Sequence, residues 1–276
     1  MFFTSNKRLT LSFFWLTLFL FCFTPPAWSV DIKIGGTGNA LGTMQILAAA
    51  YHEMNPDIKV TVLPSIGSSG AIRAVPRGGI DIGLSSRPLK ETESATGTSA
   101  VEYARTPTVI AVSNKTDNDS ITTDQLVDIY TGKITQWPNG ELIRPIIRQP
   151  GDDNTKQLKQ LSPALKKAIE IADTRAGLLF ASTDQEAVDK IINTPNSFGV
   201  TSLALILSEK RPIHAMKLDG VEPTPETCVS GSYPLIKHFY FILPKAIPDH
   251  VTDFLNFVKS PAGKLLLEKN GNYIPQ

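Results

Sequence analysis

From residue 30 onward, short apolar runs alternate with longer stretches in which apolar residues recur at helical spacing. Ile32-Lys33-Ile34 is a brief run of strand type, followed by Leu41 to Met54, rich in Ala, Leu, Ile and Met, which the pattern predicts as a helix stopped by Asn55-Pro56. Ile58, Val60 and Val62 alternate with polar neighbours and predict a strand to Leu63. A Gly-Ser-Ser-Gly turn leads into a short helix from Ala71 to Val75, and Ile80 to Leu84 predicts a buried strand. Strand, helix, strand, helix, strand is the order of a parallel α/β sheet. Further along, strands are predicted over Thr108–Ser113, Ile143–Arg148, Phe198–Thr201 and Phe239–Leu243. Helices are predicted over Thr123–Tyr130, Thr155–Leu161, Thr183–Ile192, Ser202–Leu207, Pro248–Ser260 and Pro261–Lys269. No repeat and no low-complexity linker divides the chain, so two lobes would have to be interwoven rather than strung in series.

The first 29 residues have a different character. Lys7 and Arg8 precede the apolar run Leu11 to Phe23, and Ala27-Trp28-Ser29 follows Pro25-Pro26, the pattern of a cleaved secretory signal peptide. The chain has 27 basic and 26 acidic residues, and without Lys7 and Arg8 it has 25 basic against 26 acidic. Such a balance offers no charge excess to attract nucleic acid or an anionic membrane. Of two cysteines, Cys22 lies in the signal segment, so Cys228 stands alone and is expected as a small buried apolar residue.

Candidate chemistry gathers in three loops, Gly35-Gly36-Thr37-Gly38-Asn39, Gly67-Ser68-Ser69-Gly70 and Ser85-Ser86-Arg87. The first two join a strand to a helix. A helix start carries unpaired amides and partial positive charge, glycine permits close approach, and serine adds a neutral donor. Three such loops suggest an anion-binding cleft. Enzyme signatures are missing from the sequence. His52, His214, His238 and His250 show no metal-ligand spacing, there is no Gly-x-Ser-x-Gly elbow, and Gly36-Thr37-Gly38 lacks the rest of a dinucleotide fingerprint. No metal or cofactor is expected.

Four segments together carry a resemblance. They are Ser65-Ile66-Gly67-Ser68-Ser69-Gly70, Asp81-Ile82-Gly83-Leu84-Ser85-Ser86-Arg87, Asp128-Ile129-Tyr130-Thr131-Gly132-Lys133-Ile134 with Trp137, and Gly231-Ser232-Tyr233-Pro234-Leu235. In order and spacing the chain resembles the phosphate-binding proteins of ABC-type phosphate importers, within the type II periplasmic binding proteins. The resemblance implies an α/β fold of two lobes, with mixed sheets, helices on both faces and a ligand cleft between the lobes. One lobe would hold residues 30–107 and 236–276, the other 108–235, with Tyr233-Pro234-Leu235 near the second crossing. Hinge closure would trap phosphate or a similar tetrahedral oxyanion. The partners implied are permease subunits of the inner membrane, the place the periplasm, the form a monomer, and the activity binding without catalysis. Other readings are a sensor or accessory protein on the same fold and, further off, a secreted phosphatase.

The resemblance also distributes the site. Ser68, Ser69 and Gly70 would grip the anion, Gly38, Asn39 and Ala40 would supply amides, and Arg148 would be the ligand arginine. Two departures bear on it. Where the family carries Ser-Asp, this chain has Ser85-Ser86 followed by Arg87. Where the family has neutral Ser-Gly donors, it has Asp152-Asp153, ahead of Asn154 and Thr155. Two unit charges about 5 Å apart at an effective dielectric near 20 interact by roughly 3 kcal/mol, or two decades in affinity. Asp152 and Asp153 must therefore point away, be neutralised by Arg87, face a ligand other than a dianion, stand in for the missing proton acceptor with Arg87 balancing them, or simply cap the helix predicted from Thr155.

Overall fold

The structure, a computed structural model, describes residues 30–275 except residue 96, so the expected signal segment lies outside the described residues. The chain begins β1 (Val30–Gly36), α1 (Gly38–Met54), β2 (Ile58–Val62), α2 (Gly67–Ala74) and β3 (Ile82–Ser85). It continues through α3 (Glu91–Ser94), β4 (Ser99–Ser113), β5 (Ser120–Ile121), α4 (Thr123–Thr131), β6 (Arg144–Ile147), α5 (Asp153–Leu161) and α6 (Pro163–Thr174). Then come β7 (Leu179–Phe180), α7 (Asp184–Asn193), β8 (Ser197–Ser202), α8 (Leu203–Ser208), β9 (Ile213–Ala215) and β10 (Lys217–Leu218). The chain ends with α9 (Pro225–Val229), β11 (Ile236–Leu243), α10 (Asp249–Lys259) and α11 (Pro261–Lys269).

The strands run in the order β2-β1-β3-β11-β4-β8-β6-β7, with β9 added to β4. β1 is parallel to β2 and β3, as the opening pattern predicts, whereas β11 runs antiparallel to β3. In the other half β6 is parallel to β8 and β7, while β4 is antiparallel to β8. This is the mixed α/β architecture of two lobes.

β4 joins the halves. Its residues from Ser99 to Pro107 pair with β11, and those from Thr108 to Val112 pair with β8. The changeover is pinned at Thr108, whose amide donates to Leu235 O (2.9 Å) and whose carbonyl accepts from the buried Tyr233 hydroxyl (2.8 Å). The Tyr233-Pro234-Leu235 segment thus lies at the crossing.

The buried apolar side chains fall into separate clusters on either side of that point. One gathers Ile32, Ile34, Met44, Leu47, Leu84, Phe241 and Phe254. Another gathers Ile110, Leu126, Leu165, Phe198 and Tyr233, with Trp137 packed edge-on to Phe198 at 6.1 Å. Short α8 serves both halves, placing Ala204 in the first cluster and Leu205 in the cluster around Val109 and Val188. Cys228 is buried, and burial pushes its thiol up to about 12.

Candidate functional site

A cleft of about 680 Å³ opens between the halves. Its first wall is α2. Gly67 begins this helix at φ +68°, a left-handed conformation that favours glycine. Ile66 precedes it, no side chain caps the first turn, and Gly67, Ser68, Ser69 and Gly70 of that turn line the cleft. The two serines are held by their acceptor lone pairs. Ser68 Oγ accepts from Ser86 N (2.9 Å), and Ser69 Oγ accepts from Arg87 Nη2 (3.2 Å). Each hydroxyl proton is left to donate. Ser86 in turn donates its own hydroxyl to Thr37 Oγ1 (2.8 Å). Arg87 is fixed by Glu93 through Nη1 (2.7 Å) and Nη2 (2.8 Å), and this pairing holds the Glu93 carboxyl at about 2.

The α1 wall is occupied differently. Asn39 N donates to Asp184 Oδ2 (3.1 Å), and Ala40 N is turned back to Thr37 O (3.2 Å). Gly38 O accepts from Gln185 Nε2 (2.9 Å). A side chain at Gly38 would lie 2.3 Å from Gln185 Oε1 and 2.9 Å from Asp184 Cβ, so glycine is what lets α7 seat against α1. Two of the amides expected for a ligand, those of Asn39 and Ala40, are therefore held within the chain.

Opposite stands the end of β6 and the start of α5. Arg148, buried at 7% exposure, gives Nη2 to Asp152 Oδ2 (2.7 Å) and lies 3.3 Å from Asp184 Oδ1, while its Nε and Nη1 have no partner among the described residues. Burial acts to lower its pKa, but the flanking Asp184 and Asp152 carboxylates raise it overall. For Asp184 burial dominates and raises the pKa, although Arg148 opposes it. Asp152 is also the cap of α5, accepting from Asn154 N (3.0 Å), so the helix starts at Asp153, two residues before its expected Thr155. Asp153 Oδ2 is 2.5 Å from Nζ of Lys237, which is fully buried on β11. The two aspartates are thus neutralised by Arg148 and Lys237. Arg87, the expected counter-charge, is engaged with Glu93 instead.

Asn39, Ser68, Ser69, Gly70, Ser86, Arg87, Arg148, Asp152, Asp153 and Asn154 all line the cleft. Gly38 and Ala40 are buried behind it, Ser85 is buried with its hydroxyl turned to Arg87 O (2.7 Å), and Thr155 faces a small inner cavity beside Arg148. Thr37, from the first of the three predicted loops, lines the cleft as well, and the cleft also holds residues the sequence pattern did not single out: Arg73, Lys156 and Asp184, with Lys237 beneath. Asp184 had a visible signal as the residue after the Thr183 cap, but nothing local ties it to Asn39.

Two α/β halves facing each other across a cleft of serines, a helix start and a buried arginine define a two-lobed fold with a polar crevice between the lobes. A family model described as a PBP superfamily domain matches residues 24–262, and the chain belongs to that superfamily. Phosphate-binding protein PstS 2 of Streptococcus agalactiae is 34% identical over 109 residues, 40% of this chain and 37% of that protein, so the match spans well under half of that relative's length. Phosphate-binding protein PstS of Borreliella burgdorferi is 24% identical over 248 residues, 87% of this chain and 88% of that protein. A Clostridium perfringens structure described as a phosphate ABC transporter substrate-binding protein with bound phosphate superposes with a TM-score of 0.74 at 23% identity, covering 89% of this chain and 100% of that one. The family resemblance read from the motifs and these comparisons agree.

Proposed function

We propose that this chain is an extracytoplasmic solute receptor that captures phosphate or a similar tetrahedral oxyanion between its lobes and presents it to an ABC importer. The observation that carries the reading is the uncapped start of α2, with Ser68 and Ser69 held as donors, across one cleft from the partly unpaired Arg148 guanidinium. Hydrogen bonds to a charged group contribute roughly 1.5–3 kcal/mol each. Several such bonds can reach the roughly 8 kcal/mol of micromolar binding after the ordering cost. Hinge closure about β4 and β11, the lobe division near residues 107 and 236, a monomeric form and export by the first 29 residues belong to the same reading. The printed names of the relatives support phosphate as the ligand. The buried, high-pKa Cys228 thiol favours binding over thiol chemistry.

Calorimetric titration of residues 30–276, stripped of ligand, with phosphate, arsenate, sulfate, molybdate and tungstate tests this. At least one anion is expected to bind in the micromolar range or tighter. Silence toward all five removes the receptor reading and leaves the fold standing.

A further inference from the structure

Four helix starts converge on the cleft, those of α1, α2, α5 and α7. Three already hold an oxygen supplied by the chain. Asp152 Oδ1 accepts from Asn154 N at α5, Thr183 Oγ1 accepts from Glu186 N at α7, and Asp184 Oδ2 accepts from Asn39 N at α1. The first two are ordinary caps from the adjoining residue. The third comes from 145 residues away, on the opposite lobe. Asp184 is 5% exposed, and its other oxygen accepts from Asn154 Nδ2 (3.2 Å) and faces Arg148 Nη2 (3.3 Å). A helix-start amide, a side-chain amide and a guanidinium are the donor set an oxyanion would take. Of these four starts, α2 alone has no such acceptor among the described residues.

We propose that Asp184 is a residue that positions the ligand, a resident anion that fills the α1 helix start so that a bound oxyanion is held at α2 and kept off α1. The proposal rests on the anion-receptor reading above. Several features support an anion place rather than a chance ion pair. Gly38 leaves room for Asp184 that any larger residue would close. Among the described residues Arg148 keeps two buried nitrogens without partners even though Asp152 and Asp184 both reach it. A further negative group beside these carboxylates meets repulsion at α1, whereas at α2 it meets amides, Ser68, Ser69 and the cation Arg73.

The wild-type protein decides first. In ¹H–¹⁵N spectra recorded during a phosphate titration, the amides of Ser68, Ser69 and Gly70 are expected to shift, and that of Asn39 to stay in place. An Asn39 shift as large as that of Ser68 overturns the proposal. Two variants decide independently, each checked by circular dichroism. Asp184→Asn, which keeps the shape and an acceptor but not the charge, is expected to bind phosphate and sulfate about tenfold more tightly, the effect of roughly 1.4 kcal/mol of relieved repulsion. Asp184→Ala, which vacates α1, is expected to gain at least as much, with Asn39 then joining the shifting amides. Folded variants that bind equally or more weakly show that Asp184 serves structure alone and overturn the proposal. If wild type binds no anion but the variants do, the receptor reading falls and the resident anion stands. If none of the three proteins binds, both fall.

Discussion

Lys237 is a lysine with no exposed surface, on a crossover strand, beneath the cleft. Burying an ammonium is costly unless a charge meets it, and Asp153 does so at 2.5 Å. Lys237→Met should leave the partly buried Asp153 carboxylate with only its bond from Gln157 Nε2 (2.8 Å) and lower stability by about 1–3 kcal/mol, the cost of an under-satisfied acceptor. The double variant Lys237→Met with Asp153→Asn should recover most of that loss in denaturant unfolding, because no charge is then stranded. Equal losses in the single and double variants would show that methylene packing, and not the pair, is what matters. Neither member of this pair could be matched in the sequence, because 84 residues separate them. Asp184 and Asn39 pose the same difficulty across 145. That Ser68 and Ser69 line the cleft is legible because their signal is local, a glycine-serine stretch at a helix start, whereas Arg148 is reached through the family resemblance, which implies an arginine at the end of that strand. For Asp152 and Asp153 the sequence leaves several outcomes open; Asp152 is the helix cap that one of them allows, whereas Arg87, the counter-charge in two others, is paired with Glu93.

At the scale of elements, the legible ones are those with an uninterrupted period. The β1–α1–β2–α2–β3 run is legible in order and type because each strand is apolar and a glycine-rich stretch precedes each apolar helical run, but the glycine-rich stretches are themselves helical, so α1 starts at Gly38 and not Leu41, and α2 at Gly67 and not Ala71. Helix α6 was missed although Ser162 caps it through Leu165 N (3.0 Å), Pro163 sits in its first turn, and Leu165, Ala168, Ile169 and Ala172 form its buried face. That Ser-Pro start followed by helical spacing was its signal. Half of β4 was missed because Glu102, Arg105 and Pro107 break the apolar pattern where the strand pairs with β11. α2 depends on a contact of another kind, the Arg87–Glu93 pair that reaches it through Ser69. The Glu93 carboxyl, lowered to about 2 from 4.5 by Arg87, binds fewer protons folded than unfolded. Its stabilisation is complete above the unfolded value and is lost as pH falls from about 4.5 towards 2. Asp184 has the opposite sign. Raised by burial, it favours the fold most below its ordinary 3.8, and that contribution is lost as pH rises through the folded value. Urea midpoints measured between pH 2 and 7 should therefore show the deficit of Glu93→Gln disappearing towards pH 2, while Asp184→Asn gains on wild type as pH rises. A pH-independent deficit for Glu93→Gln would mean the pair does not hold Arg87 in place.

At the scale of the molecule, the two halves are joined by more than the crossover strands. Helix α1 is docked on α7 through Asp184 and Gln185, and on α8, where a side chain at Gly42 would lie 2.4 Å from Ser208 Oγ. No comparable bond spans the gap between α2 and α5 among the described residues; their facing walls, with Arg73 on one and Lys156 on the other, are separated by the cleft. Closure on an anion should then pivot about the α1–α7 contact and draw α2 towards α5, since a packed and hydrogen-bonded contact resists displacement while an open one does not. The lone tryptophan after residue 29, Trp137, cannot report this. It is buried against Phe198 and donates to Asn196 O (3.1 Å), within one half and off the cleft lining. Spin labels can. In a Cys228→Ser background, one pair at Arg77→Cys and Gln160→Cys spans the α2–α5 side, and a second at Gln45→Cys and Asn193→Cys spans the α1–α7 side, all four at exposed positions. Phosphate should shorten and narrow the first distance distribution and leave the second unchanged. Shortening of both would mean the lobes close as free bodies about β4 and β11, with the α1–α7 contact broken in the empty protein. Change in neither, under conditions where calorimetry records binding, would mean the anion enters a cleft that is already closed.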